Sequence, residues 1–214
     1  MKSHRAYHPG HHPGHAALVS CLALVLAVSS GCAPRALRGG EGTANPDLDR
    51  PAMSVLLDRD DITYLVDGYL AKLESSAFWQ QTVKSAPKQS IVAIWPIRNA
   101  TSQHLDDQML WLLSSIETSL VNTGSVAVVD RSRQDELARE IGVQQGSIYD
   151  PASAQKIGRQ LGAKYFVTGK ITSVDERLNK KHRVQYSLFL QVLEIETGLI
   201  RFQDQIDRSK QIEK

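Results

Sequence analysis

Cysteine is nearly absent: the 214 residues hold two, Cys21 and Cys32, and none follows. A disulfide framework, a Cys-ligated zinc site and a thiol nucleophile are thereby excluded from the chain beyond residue 32, even in an oxidising compartment. Histidine is scarce in the same way, since only His104 and His182 lie outside the N-terminal tract. Neither G-x-S-x-G nor H-E-x-x-H occurs, and no G-x-G-x-x-G follows a candidate strand, so neither hydrolase machinery nor a nucleotide cradle is visible. Charge of one sign is also lacking. The formal net charge is +2, falling to zero without Lys2 and Arg5, which leaves no electrostatic footprint for nucleic acid. These absences lead us to expect no enzyme, no cofactor, no metal, no nucleic acid and no small-molecule substrate.

What is present begins with a targeting segment. Lys2 and Arg5 precede an uncharged stretch from Ala16 to Val28, and the small residues Ser29, Ser30 and Gly31 follow. This is the order of a secretory signal peptide. The run is several residues short of the roughly 20 needed to span a bilayer. Gly31-Cys32 resembles the lipobox of bacterial lipoproteins, in which cleavage leaves the cysteine first and acylated, although Ser29 stands where leucine is usual. Residues 1–31 are thus expected to be a lipoprotein signal peptide, with Cys32 the lipidation site. Ala33 rather than aspartate follows Cys32, which in such lipoproteins goes with the outer membrane. The "HPGHHPGH" tract would suggest metal binding in isolation, but it falls within the discarded segment.

Residues 32–57, rich in Gly, Pro and Ala with no apolar period, read as a flexible tether. About 25 residues span at most roughly 80 Å when fully extended. Within residues 58–89, Ile62, Leu65, Val66, Tyr69, Leu70 and Leu73 recur at helical spacing, and Asp58, Asp60 and Asp61 crowd the start, where they favour the helix dipole. An amphipathic helix that packs on its own domain or on a partner is expected here.

Residues 90–214 read as one α/β domain. "IVAIWPI" is a buried strand closed by the polar loop "RNATSQ". Leu105, Met109, Leu112, Leu113, Ile116 and Leu120 mark a helix stopped at Gly124. "SVAVVD" supplies a second strand after a connection long enough for a parallel crossover. Ser132 and Asp135 are spaced as a capping pair for a helix through Leu137 and Ile141. Asp150-Pro151 opens another, which carries Ala154, Ile157 and Leu161 to Gly162. "KYFVTGKI" is the third strand. Val184, Tyr186, Leu188, Leu190 and Val192 alternate along a longer one, and Glu196-Thr197-Gly198 turns it into "LIRFQDQI". The order β-α-β-α-α-β-β-β predicts a mixed β-sheet covered by helices.

The stretches "IVAIWPIRNAT", "TGSVAVVDRSRQDELARE", "AQKIGRQLGAKYFVTGKI" and the hairpin ending "LEIETGLI" resemble the penicillin-binding protein activator LpoB family over about Ile91 to Ile206. The resemblance implies an outer-membrane lipoprotein facing the periplasm, with a domain similar to the amino-terminal domain of TolB. It also implies a non-catalytic role: stimulation of a class A penicillin-binding protein, a bifunctional peptidoglycan synthase. The tether here is shorter than the proline-rich one of enterobacterial members. CsgG-like and FlgO-like envelope lipoproteins share the pattern, so the alternative is a structural or assembly role in secretion or flagellar complexes.

Candidate partner contacts are Arg98 and Asn99 at the end of the first strand, and Arg177, Lys180 and Lys181 in the basic stretch "ERLNKKHR", read as a hairpin loop that could meet an acidic partner. Trp95 is read as core area. Asp106-Asp107 reads as helix-start acids rather than paired catalytic carboxylates. Asp130-Arg131 reads as an ion pair fixing a helix start.

Overall fold

The computed structural model describes residues 36, 37, 39, 42–48, 50–140 and 151–213, so Cys32, the signal segment, Ile141 and Asp150 lie outside it. Asp49–Lys214 forms one compact unit.

Helix α1 (Arg59–Ser75) starts from a reciprocal cap. Asp58 Oδ1 accepts the Asp61 N–H at 3.0 Å, and Asp61 Oδ2 accepts the Asp58 N–H at 3.1 Å. This capping box satisfies two donors that a helix start leaves free. The expected apolar positions Ile62, Leu65, Val66, Tyr69, Leu70 and Leu73 are all buried. Their neighbours in the same core include Val55 and Leu57, at the end of the stretch read as tether. A short π-helical turn (Trp79–Val83) follows and buries Trp79 and Val83.

Strand β1 (Ser90–Ile94) ends earlier than the expected run to Ile97. Pro96 has no N–H to give to a ladder. Pairing resumes beyond it as β2 (Arg98–Ala100), where the sequence had suggested only a polar loop, in parallel register with Lys170–Thr172. Helix α2 (Asp106–Asn122) buries Leu112, Ile116 and Leu120 and stops at Gly124, whose φ of 65° lies in the left-handed region. It returns the chain to β3 (Val126–Val128), parallel to β1, as the crossover length predicted.

The next helix starts differently from the expectation. Helix α3 (Arg131–Glu140) is capped by Asp130, not by Ser132: Asp130 Oδ1 accepts the N–H groups of Ser132 at 2.7 Å and Arg133 at 3.4 Å. The Asp130-Arg131 ion pair is replaced as well, because Arg131 Nε turns to Glu117 Oε2 on α2 at 3.0 Å. Helix α4 (Pro151–Gln160) begins at the expected proline and ends before Gly162, which has φ 68°.

The last three strands are all longer than their apolar patterns suggested. Strand β4 (Tyr165–Leu178) continues past Ile171, and β5 (Lys181–Glu194) pairs with it antiparallel down to Leu178 opposite Lys181. The basic "loop" is therefore a two-residue turn, Asn179-Lys180, with Asn179 at φ 52°. Strand β6 (Ile200–Glu213) pairs with β5 along nearly its whole length. The sheet order is β3-β1-β4-β5-β6, with β2 beside β4 beyond the end of β1.

Two cores result. The larger lies on one face under α1 and α2 and takes the alternating residues Val184, Tyr186, Leu188, Leu190 and Val192. The smaller, on the other face, joins Trp95, Ile157, Phe166 and Ile195 with Leu137 and Leu161. Trp95 packs on Phe166 with ring centroids 5.0 Å apart, so it serves the core, as its position in an apolar run suggested.

Candidate partner-binding face

Side chains on paired strands share a face when they stand opposite each other. On the face away from the large core, Arg98 stands opposite Lys170, Lys170 opposite Phe189, and Phe189 opposite Gln205. This row crosses four strands. The next row runs Ala100, Thr172, Ser187, Asp207, with Ser187 Oγ donating to Asp207 Oδ1 at 2.6 Å. Toward the ribbon tip, Val174 and Gln185 oppose each other and Gln185 Nε2 donates to Ser209 Oγ at 3.3 Å. The small core covers only the first part of this face, around Phe166. Beyond it lies a sheet surface of amides, hydroxyls and a half-buried aromatic, Phe189.

Arg98 and Lys170 are both exposed, and neither has an ion pair among the described residues. Two adjacent cations without a counter-ion repel each other and attract a carboxylate from outside. Asn99 is different. Its Nδ2 donates to the Gln103 carbonyl at 2.9 Å, while its Oδ1 accepts the Thr101 N–H at 3.0 Å, so it shapes the β2 loop rather than presenting a free contact.

The basic stretch at the ribbon tip is largely neutralised by its own neighbours. Arg183 Nε donates to Glu176 Oε2 at 2.9 Å and Arg177 Nε to Asp175 Oδ1 at 3.3 Å. His182 Nε2 lies 2.9 Å from Asp175 Oδ2, and Lys181 Nζ 3.6 Å from Glu213 Oε1. The hydrogen bond from His182, aided by the nearby positive charges, holds the Asp175 carboxyl below the usual carboxylate range. Only Lys180, at the turn, has no ion pair among the described residues.

Three features are missed at the level of sequence, two of them on this surface. Lys170 and Phe189 join Arg98 only through register, which no local pattern encodes; the one available signal was the polar alternation Thr168, Lys170, Thr172. The third is a buried ionic cluster beneath the other face. Lys210 Nζ donates to Asp61 Oδ2 at 2.8 Å, to the Leu56 carbonyl at 2.8 Å and to Asp58. Arg208 adds bonds to Asp61 Oδ1 at 3.2 Å and Asp60 Oδ2 at 2.9 Å.

Chemistry of another kind finds little support. Among the described residues no group of three or more His, Cys, Asp and Glu could hold a metal ion. Asp106 and Asp107 occupy the first turn of α2 and are exposed. Two Ser-x-x-Lys spacings exist, at 85–88 and 153–156. Ser85 and Lys88 are exposed on a turn where Ser85 donates to the Gln81 carbonyl, and the Ser153 side chain is outside the described set. No described helix is long and apolar enough to cross a membrane.

Known proteins of this architecture include the C-terminal domain of LpoB from Escherichia coli, at 17% identity and a TM-score of 0.54 over 70% of this chain and 99% of that one. The corresponding domain from Salmonella enterica matches at 16% identity and a TM-score of 0.51, over 69% of this chain and 98% of that one. These likenesses establish a shared fold. No curated relative matches the chain by sequence. The profile of the family described as peptidoglycan-synthase activator LpoB, however, matches residues 61–207, from the first turn of α1 into β6. That span takes in the elements that carry both cores and the Arg98–Lys170 face, and on it the chain belongs to the peptidoglycan-synthase activator LpoB family.

Proposed function

We propose that this protein is an outer-membrane lipoprotein, anchored through Cys32, that binds and activates a class A penicillin-binding protein from the periplasmic side and does no chemistry itself. The observation that carries this reading is the family match over residues 61–207. The contact face is the sheet surface around Arg98, Lys170 and Phe189, and its partner supplies carboxylates. The aromatic gives desolvated area, and the two cations give orientation and association rate. An activator must bind the active state of its target more tightly than the inactive one, because equal affinity shifts no equilibrium.

The test is glycan polymerisation and cross-linking by each class A penicillin-binding protein of the source organism, with and without the protein. Saturable stimulation of one synthase is expected, weakening as salt rises. Reversing both charges, Arg98→Glu with Lys170→Glu, is expected to raise the half-maximal concentration about tenfold or more while the melting temperature stays put. No stimulation at concentrations that saturate binding would sink the activator reading. Stimulation by the double variant at the original concentration would remove this face from it and leave the activator reading standing.

A further inference from the structure

Strands β1, β4 and β6 start at one end of the sheet, the end at which β5 finishes. Four exposed cations stand there: Lys84 and Lys88 in the connector that leads into β1, Lys164 just before β4, and Arg201 at the start of β6. None of the four has an ion pair among the described residues.

Aromatic rings fix the place of two of them. Phe78 and Tyr165 pack edge to face with centroids 5.2 Å apart, Lys164 Nζ lies 5.2 Å from the Tyr165 centroid, and the Arg201 guanidinium carbon lies 5.9 Å from that of Phe78. A ring holds a cation in position without neutralising it. The backbone pins Lys164 as well, since its N–H donates to the Ile91 carbonyl at 2.8 Å and its carbonyl accepts the Ile195 N–H at 3.0 Å. The β5–β6 turn contributes two acids, Glu194 and Glu196, and Glu194 Oε2 accepts the Thr197 hydroxyl at 2.8 Å. The cations outnumber them.

The same turn carries an apolar tip. Leu199 and Ile200 are 55% and 52% exposed, and the turn is closed behind them by the Glu194 N–H, which donates to the Leu199 carbonyl at 2.9 Å. Apolar side chains beside unpaired lysine and arginine suit a bilayer interface, where the former reach the acyl boundary and the latter meet anionic headgroups. A soluble polyanion would match the cations and leave Leu199 and Ile200 in water.

Chain length brings a bilayer within reach. Residues 33–54 separate Cys32 from the first buried residue, Val55. As a coil they average about 26 Å end to end, whereas a folded unit of this size is about 40 Å across. A unit wider than its tether keeps some face against the headgroups.

We propose that the end of the sheet carrying Lys84, Lys88, Lys164, Arg201 and the Leu199–Ile200 tip docks on an anionic phospholipid surface. The contact rests on the anchoring at Cys32 proposed above and is independent of any synthase. It leaves the Arg98–Lys170 face uncovered, because β2 lies beyond the opposite end of β1.

The full chain with Cys21→Ser, which leaves Cys32 as its one thiol, is coupled through Cys32 to a maleimide-bearing lipid in nanodiscs. The anchor is then present whether or not the cell acylates that residue, which mass spectrometry of the envelope protein tests separately. Discs of phosphatidylcholine are compared with discs containing one third phosphatidylglycerol, each with a trace of headgroup spin-labelled lipid, and broadening of the backbone amide signals is read by NMR. Broadening centred on Lys164 and Leu199–Arg201 is expected in the anionic discs, about threefold or more weaker in the neutral ones and falling as salt rises. Lys164→Glu with Arg201→Glu is expected to bring it to the neutral-disc level at a melting temperature close to that of the parent, and Leu199→Ser to reduce it about twofold. Arg98→Glu with Lys170→Glu is expected to leave it unchanged. Equal broadening in the two lipids, broadening centred elsewhere, or no response to the Lys164 and Arg201 reversal overturns the assignment. Loss of synthase stimulation on that reversal, with the anionic broadening intact, overturns it too and gives the patch to a protein partner.

Discussion

A single buried lysine ties the two ends of the folded unit together. Lys210 and Asp61 are 6% and 2% exposed, and Lys210 meets Asp58 and Asp61 from 152 and 149 residues away. Burial alone would raise the Asp58 carboxyl, but the Lys210 and Asp61 hydrogen bonds outweigh it and hold it below the ordinary range. Burial likewise pulls Lys210 down, and its bonds to Asp58 and Asp61 more than restore it, so its ammonium persists above the usual value. The linkage follows from those two directions. The Asp58 contribution is complete above the ordinary carboxylate value of about 3.9 and is lost as pH falls through the lower folded value; that of Lys210 is complete below about 10.4 and is lost as pH rises through the higher one. Urea midpoints are expected to be flat between those limits and to drop outside them. Lys210→Met takes the buried ammonium away from Asp58 and Asp61, the latter keeping only Arg208 at 3.2 Å, and is expected to cost about 3 kcal/mol in chemical denaturation. Lys72→Met, which breaks the exposed 3.0 Å pair with Asp204, is expected to cost less than about 1 kcal/mol. The sequence revealed the acids at the head of α1 as dipole partners only, because an ion pair across such a separation leaves no local trace.

At the scale of elements, local pattern and long-range pairing part company. The helices and the core strands were legible because apolar periodicity is a property of short windows: Leu112, Ile116 and Leu120 in α2, and Val184 through Val192 in β5, are buried as their spacing requires. Strand lengths were not legible. Leu178, 73% exposed, and Val174, 58% exposed, carry the ladder beyond any core, so no burial pattern announces it. What sustains that ribbon is backbone pairing with cross-strand ions such as Glu176 and Arg183, each contributing a few tenths of a kcal/mol up to about 1. One residue fixes how closely β4 and β5 approach. A Cβ on Gly169 would lie 2.0 Å from the Phe189 carbonyl oxygen, a backbone atom that cannot step aside. Gly169→Ala is therefore expected to destabilise by about 3 kcal/mol through overpacking. Gly124→Ala has open space and only its φ of 65° to oppose it, and about 1 kcal/mol is expected. Thermal melts of the two variants separate steric from conformational cost, and equal shifts would mean that the β4–β5 ladder yields where its register says it cannot.

For the whole molecule, the decisive question is where the folded unit begins. Composition placed residues 32–57 in a tether, and the family profile starts only at Asp61. The packing extends further back than either. Val55 and Leu57 are 8% and 2% exposed, the Val55 carbonyl accepts the Tyr186 hydroxyl at 2.9 Å, and the Leu56 carbonyl accepts Lys210 at 2.8 Å. These three residues look like linker because two apolar side chains and two backbone carbonyls make no period; their partners come from β5 and β6. A pull transmitted along the preceding segment would thus reach the sheet through Tyr186 and Lys210 before it reached α1. A chain cut to begin at Asp58 would lose two buried side chains and one of the three acceptors of Lys210, while the Tyr186 hydroxyl would keep Gln103 Oε1 at 2.8 Å. Relative to one beginning at Arg50, it is expected to be about 3 kcal/mol less stable in urea, with an unchanged helix signal in circular dichroism. Equal midpoints for the two chains would show that residues 55–57 rest on the fold without supporting it, and would return them to the tether.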